Sequence, residues 1–170
     1  SDEQRRCAGV ACMPRFDRRR LRLRGCVRLL RAAYDALARE VDRIYHCGAD
    51  VRHYAPLAEM MAVNVKGTQE IIQLARTAGA AMHHISTTSV AADYLTAMPD
   101  QSAMFFEMDF EIGQNVEQNV YVHSKFLAEA AVYDAVAQGL DARVYRVGRL
   151  VGRSGDGVFQ KNPESNAFYA

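Results

Sequence analysis

Ala81-Met82-His83-His84-Ile85-Ser86-Thr87-Thr88-Ser89 passes from a short apolar run directly into four hydroxyl residues, and its reading decides the fold. The first five residues read as a strand, because they are few and Gly79 sits just before them. His83 and His84 are neighbours on that strand, so their side chains point to opposite faces and cannot chelate one metal together. One of them is expected to face the core, and no metal site is expected. The hydroxyl cluster lies at the strand's carboxyl end.

Upstream, residues 57–78 read as a helix that follows Pro56, with Met61, Val65, Thr68, Ile72 and Ala75 on one face and Gly79 closing it. Before it, residues 43–47 read as a buried strand ended by Gly48-Ala49-Asp50, and residues 33–41 as a short helix. Downstream, residues 91–118 are too polar and broken for one element. A helix over residues 119–138, closed by Gly139, and a strand over residues 142–147 complete the pattern. Strands alternating with helices predict an α/β fold with a parallel sheet.

Ligands of such sheets collect at the carboxyl ends of the strands. Here those ends are His46-Cys47-Gly48-Ala49-Asp50, Ser86-Thr87-Thr88-Ser89 and Val147-Gly148-Arg149-Leu150, all small, polar or glycine-containing. Between the second and third of these lies the stretch Asn119-Val120-Tyr121-Val122-His123-Ser124-Lys125. Four residues on a helix bring Tyr121 and Lys125 to one face, one turn apart. An ammonium there is expected to favour the phenolate and lower the tyrosine pKa, making Tyr121 usable as a general acid or base. A core tyrosine beside a solvated lysine is the plainer reading of the pair taken alone.

Bulk properties exclude several classes. With 170 residues the chain has room for one domain with a core. Its net charge of +1 makes no overall case for nucleic acid or a membrane surface. The ten arginines of residues 1–31, against three acidic residues, form an exception. Without interleaved aromatics for stacking, that segment reads as a solvated face. No apolar run reaches the length of a membrane span, and the first residues lack the apolar core expected of a signal peptide. Cys7, Cys12, Cys26 and Cys47 contain no C-x-x-C pair and read as reduced thiols of a cytoplasmic protein.

A hydroxyl residue at a strand end, followed on the next long helix by Tyr-x-x-x-Lys, resembles the short-chain dehydrogenase/reductases. Further segments resemble the extended branch, and within it the thioester reductase domains that terminate nonribosomal peptide and polyketide synthetases. They are Ile44 to Tyr54, Asn64-Val65-Lys66-Gly67-Thr68, His84 to Val90, Gly113-Gln114, Asn119 to Lys125, Tyr145-Arg146-Val147-Gly148 and Gly157 to Asn162. As an ordered set these are specific, although each alone is not.

The resemblance implies that a carrier-protein phosphopantetheinyl thioester is reduced by NADP(H) to an aldehyde or alcohol. It implies catalytic roles for Thr87, Tyr121 and Lys125, with Lys125 also holding the nicotinamide ribose. It implies that His46, Gly48 and Ala49 line the adenosine side, that Asn64 braces the strand beside it, that Ser86 contacts cofactor, and that Val147, Gly148 and Leu150 line the nicotinamide side.

Two departures accompany the resemblance. The family opens with a strand and a glycine-rich turn that binds pyrophosphate, yet before Gly48 this chain has only Gly9 and Gly25. Arg149 also stands where an asparagine is expected. The chain therefore reads as a fragment: an Arg-rich segment over residues 1–31, then a partial NAD(P)-binding reductase domain over residues 32–170. The expected fold is a partial Rossmann-like doubly wound parallel sheet lacking its first strand and glycine-rich turn. Two other readings stay open. One is another extended short-chain enzyme, such as a fatty acyl-CoA reductase or a nucleotide-sugar epimerase or dehydratase. The other is a non-catalytic NAD(P)-fold interaction module.

Overall fold

The computed structural model describes residues 31–97 and 104–158. Residues 1–30 of the Arg-rich segment and the last part of the motif that begins at Gly157 lie outside them. In order, the elements are α1 (Arg31–Glu40), β1 (Arg43–His46), α2 (Leu57–Met60), a π-helical turn (Met61–Lys66) and α3 (Gly67–Ala78). They continue with β2 (Ala81–Thr87), a 3₁₀ turn (Thr88–Ala91), α4 (Tyr94–Ala97), a 3₁₀ turn (Val116–Gln118), α5 (Val120–Ala137) and β3 (Ala142–Val147).

The strands form one parallel sheet in the order β1-β2-β3. Ile44 pairs with Met82 and His46 with His84 on one side, while Thr87 pairs with Val147 on the other. The fold is α/β, and its register brings all three carboxyl ends to one rim. Met82 is the centre of the core, packed with Ile72 and Ala75 of α3 and Val132 and Ala135 of α5. Burying side chains of this size stabilises by roughly 1.5–3 kcal/mol each. Ile44 and Val144 extend the core across the flanking strands.

Alternation along the strands sends Tyr45, His83 and Tyr145 to the opposite face. There the His83 ring stacks on Tyr45 at 4.6 Å and on Tyr145 at 5.7 Å, and His83 Nδ1 lies 2.8 Å from the Tyr145 hydroxyl. Tyr45 is 62% exposed, so β1 is half-covered rather than buried as its apolar run suggests.

Residues 57–78 are not one regular helix. The buried positions are Met60, Asn64, Thr68, Ile72, Leu74 and Ala75, so the first two turns are phased one residue earlier than the expected Met61 and Val65. A π turn holds more residues than an α turn, which keeps positions four apart on one face and turns Asn64 inward. Pro56 starts the helix, its carbonyl accepting from the Glu59 and Met60 amides. Gly79 ends it at φ 64°, with the Gly79 and Ala80 amides on the carbonyls of Arg76 and Ala75. Asn119 caps α5, its side-chain oxygen accepting from the amides of Tyr121 and Val122 at 2.9 and 3.2 Å.

Candidate active site

Thr87 is the last residue of the central strand, and its hydroxyl oxygen accepts from the Ser89 amide at 3.1 Å, capping the turn that follows. That cap holds the strand end in place. The Asn119 cap does the same for the start of α5, so Tyr121 begins the helix and Lys125 follows one turn later. The Thr87 hydroxyl also donates to Ser89 Oγ at 3.1 Å, and its side chain lies close enough to the Tyr121 phenol to act on its pKa. Strand end, hydroxyl and phenol thus meet at the rim.

Tyr121 departs from the expected electrostatics. Burial pushes its phenol above the usual tyrosine value, and the Thr87 side chain pulls against it. The Lys125 ammonium does not govern the phenol, because it is directed elsewhere: Nζ donates to the Ile85 carbonyl at 2.8 Å. Lys125 is only 3% exposed. Burial lowers its pKa, and the negative charge of Glu129 opposes that shift. The His53 ring packs on Tyr121 with centroids 5.2 Å apart, and its Nδ1 accepts from Asn119 Nδ2 at 3.2 Å.

Asn64 ties three elements together. Its amide nitrogen donates to the Asp50 carbonyl at 2.9 Å and to Ser124 Oγ at 2.8 Å, while its oxygen accepts from the Asp50 amide at 2.7 Å. Ser124 in turn donates to the Tyr121 carbonyl at 2.9 Å. Asn64 thus fixes the loop carrying Gly48 and Ala49 to the turn carrying Tyr121.

On β1, His46 Nε2 lies 3.0 Å from Thr68 Oγ1, whose proton goes to the Asn64 carbonyl at 2.7 Å. His46 Nε2 is therefore the donor. Burial lowers the His46 pKa to about 4, with the Lys125 charge adding to it. His84, 5.3 Å from it between ring centroids, is lowered by burial to about 3, with Lys125 and His46 contributing. Both are neutral at pH 7. Both ring nitrogens of His84 are buried without a protein partner.

The structure directs Ser86 away from the rim. Its hydroxyl donates to Glu129 Oε2 at 2.6 Å, and Glu129 Oε1 accepts from Arg146 Nε at 2.8 Å. Glu129 is fully buried. Neither Glu129 nor Arg146 stood out in the sequence, yet a signal was there: Tyr121, Lys125 and Glu129 recur every four residues on one helix face.

Val147 pairs with Thr87 and so flanks the strand end that carries it. Gly148 and Leu150 follow in an exposed segment, Leu150 at 71%. No atom comes within 4 Å of the place a Gly148 Cβ would take, which leaves room for a ligand beside Thr87 and Tyr121. A Cβ on Gly48 would meet the His46 ring at 3.6 Å, an ordinary contact. These residues fit the nicotinamide and ribose end of a dinucleotide. Among the described residues no group of three or more His, Cys, Asp or Glu is placed to hold a metal. None of their helices is long and apolar enough to cross a membrane.

Known proteins are similar to this chain. Over 130 residues the chain is 36% identical to a linear gramicidin synthase of Brevibacillus parabrevis, covering 76% of this chain and 2% of that protein. It is 34% identical over 126 residues to glycine betaine reductase ATRR of Emericella nidulans, covering 74% of this chain and 10% of the relative. Among solved structures, a thiolation-reductase di-domain from an archaeal nonribosomal peptide synthetase superposes with a TM-score of 0.69 at 37% identity, covering 81% of this chain and 29% of that one. The chain therefore spans a small part of the relatives it matches. A family model of NAD-binding domains matches residues 28–169, which contain every residue of the site. The chain belongs to that NAD-binding family, the one described as Male sterility protein.

Proposed function

We propose that this chain carries the proton-transfer and nicotinamide side of an NADPH-dependent thioester reductase, which releases an acyl or peptidyl group from a carrier-protein phosphopantetheine arm. The observation that carries the reading is the Thr87 side chain set beside the Tyr121 phenol at the central strand end, where it acts to lower the phenol pKa, with Lys125 one turn further along α5. Its similarity to a linear gramicidin synthase and to a thiolation-reductase di-domain supports a carrier-bound substrate.

NADPH, when bound, supplies hydride to the thioester carbonyl carbon. As that carbon accepts the electron pair, charge builds on the carbonyl oxygen. Tyr121 gives its proton to that oxygen, and burial suits it to this task by keeping the phenol protonated. Thr87 hydrogen-bonds the same oxygen. The resulting hemithioacetal hydroxyl gives up its proton as the C–S bond breaks, and the phosphopantetheine sulfur leaves as a thiol with that proton. The product is an aldehyde, and Tyr121 is reprotonated from solvent. A second round gives an alcohol. Lys125 retains donors beyond the one on Ile85, and these suit the ribose hydroxyls. His46, Gly48 and Ala49 line the adenosine side, and Val147, Gly148 and Leu150 the nicotinamide side.

A second reading of the same residues is a non-catalytic module of the same fold. One experiment separates them. NADPH is titrated, by nicotinamide fluorescence, into this chain and into the chain joined to the first strand and glycine-rich turn of a related reductase domain. Binding by the joined protein, followed by reduction of a carrier thioester, supports the enzyme; no binding by either protein leaves the module. NADH in parallel tests the choice of cofactor.

A further inference from the structure

Glu129 is fully buried and engaged from three directions at once. On α5 it lies one turn beyond Lys125, so the order Tyr121, Lys125, Glu129 runs down a single face. From β2, Ser86 Oγ donates to Oε2 at 2.6 Å. From β3, Arg146 donates to Oε1 through Nε at 2.8 Å and lies within 2.6 Å through its second nitrogen. The Tyr133 hydroxyl, also on α5, accepts from the same Arg146 at 3.4 Å. Arg146 meanwhile donates to the Phe106 carbonyl at 3.2 Å and sits 4.6 Å over the Phe105 ring, binding residues 105–106 to the same point.

A buried ion pair is a poor source of stability, because desolvating two charges offsets most of their attraction. This pair, however, reaches the strand end that carries Thr87 through Ser86. Ser86 precedes Thr87, so holding the Ser86 hydroxyl fixes the backbone that aims Thr87 at Tyr121. We propose that Glu129 is a positioning residue of the reductase site: anchored by Arg146, it holds the Thr87 strand end through Ser86 and sets a carboxylate one turn beyond Lys125. The proposal rests on the thioester-reductase reading for the reaction it serves, but not for the geometry.

Lys125 is surrounded by groups that matter to its charge. Tyr121 and Glu129 are on its own helix, His84 and the Ile85 carbonyl on β2, His46 on β1, and Cys47 just after β1. Both histidines are neutral, which leaves Glu129 as the buried carboxylate able to keep the ammonium protonated.

The test is a direct titration of Lys125 by NMR in protein carrying ¹³C-labelled lysine. The chain has only Lys66, Lys125 and Lys161, so the resonance is readily assigned with Lys125→Arg. Glu129→Gln should move loss of the Lys125 proton to lower pH, and Glu129→Asp should restore most of the difference. Should Glu129→Gln fail to fold, Glu129→Gln with Arg146→Met is compared with Arg146→Met alone, and loss of the Lys125 proton should again move to lower pH. An unmoved Lys125 titration in a folded variant overturns the proposal. Ser86→Ala provides an independent arm: it should leave the Lys125 titration in place while kcat for thioester reduction falls about tenfold, the effect of about 1.4 kcal/mol in the transition state. A rise in the cofactor KM with kcat unchanged would instead make Ser86 a cofactor ligand and overturn the positioning role. If no variant reduces thioester at all, the functional reading fails while the titration still decides Glu129.

Discussion

Asn64, on the π-helical turn, donates a 2.8 Å hydrogen bond to the hydroxyl of Ser124, 60 residues further along the chain. That bond joins the loop after β1 to the helix carrying Tyr121 and Lys125. The two lips of the site are therefore held by one side chain with three hydrogen bonds.

Replacing Asn64 with leucine keeps the volume and removes all three. The Asp50 amide, the Asp50 carbonyl and the Ser124 hydroxyl would lose a buried partner, at about 1–3 kcal/mol for each left unsatisfied. Urea unfolding should show a loss of about 2–4 kcal/mol, and a loss below about 0.5 kcal/mol would remove Asn64 from its bracing role.

Tyr121→Phe deletes the proton donor without disturbing the ring packing against His53. In the joined protein that binds NADPH, kcat should fall roughly 10²–10⁴-fold, the usual worth of a general acid, with cofactor affinity little changed. Thr87→Val should fall in the same direction and Thr87→Ser should retain most of the rate. Turnover of Tyr121→Phe at the native rate would sink the assignment.

The two buried histidines set a pH dependence of stability. His46 and His84 have native pKa values lowered to about 4 and about 3 from the ordinary 6.5. Between those values and 6.5 the unfolded chain binds more protons than the folded one, so stability falls as pH drops through this window and levels off below it. Above about pH 7 the histidines contribute no slope. Unfolding free energies measured from about pH 4 to about pH 8 should fall toward acid, and His84→Phe should flatten the slope. An unchanged slope in that variant would mean that His84 is not held neutral.

Gly79 ends α3 at φ 64° with open space where a Cβ would go. Gly79→Ala therefore meets no clash and costs only the strain of left-handed backbone, about 1 kcal/mol. Thermal unfolding of the two proteins checks the figure, and a stabilised variant would contradict the conformation.

How much of this was legible depends on range. The strand over residues 81–87, the helix opening at Asn119 and its Tyr-x-x-x-Lys pair are encoded within a few residues each, by period, cap and breaker. The phase of residues 57–66 was not, since a π turn adds no composition signal and is maintained by what Asn64 bonds across the fold. The direction of the Tyr121 shift was also out of reach. Spacing specifies that Lys125 is one turn away, but not that its ammonium lies on the Ile85 carbonyl or that the phenol is buried.

The sequence by itself determined the α/β alternation, the parallel sheet and the residue types at its carboxyl rim, because local periodicity and turn chemistry require no partner. Only the tertiary structure decided that Thr87 meets Tyr121, that Ser86 turns to Glu129 rather than outward, and that Lys125 is held by a strand carbonyl. Those outcomes depend on desolvation and on hydrogen bonds between residues far apart in the chain, and neither is written in any single segment.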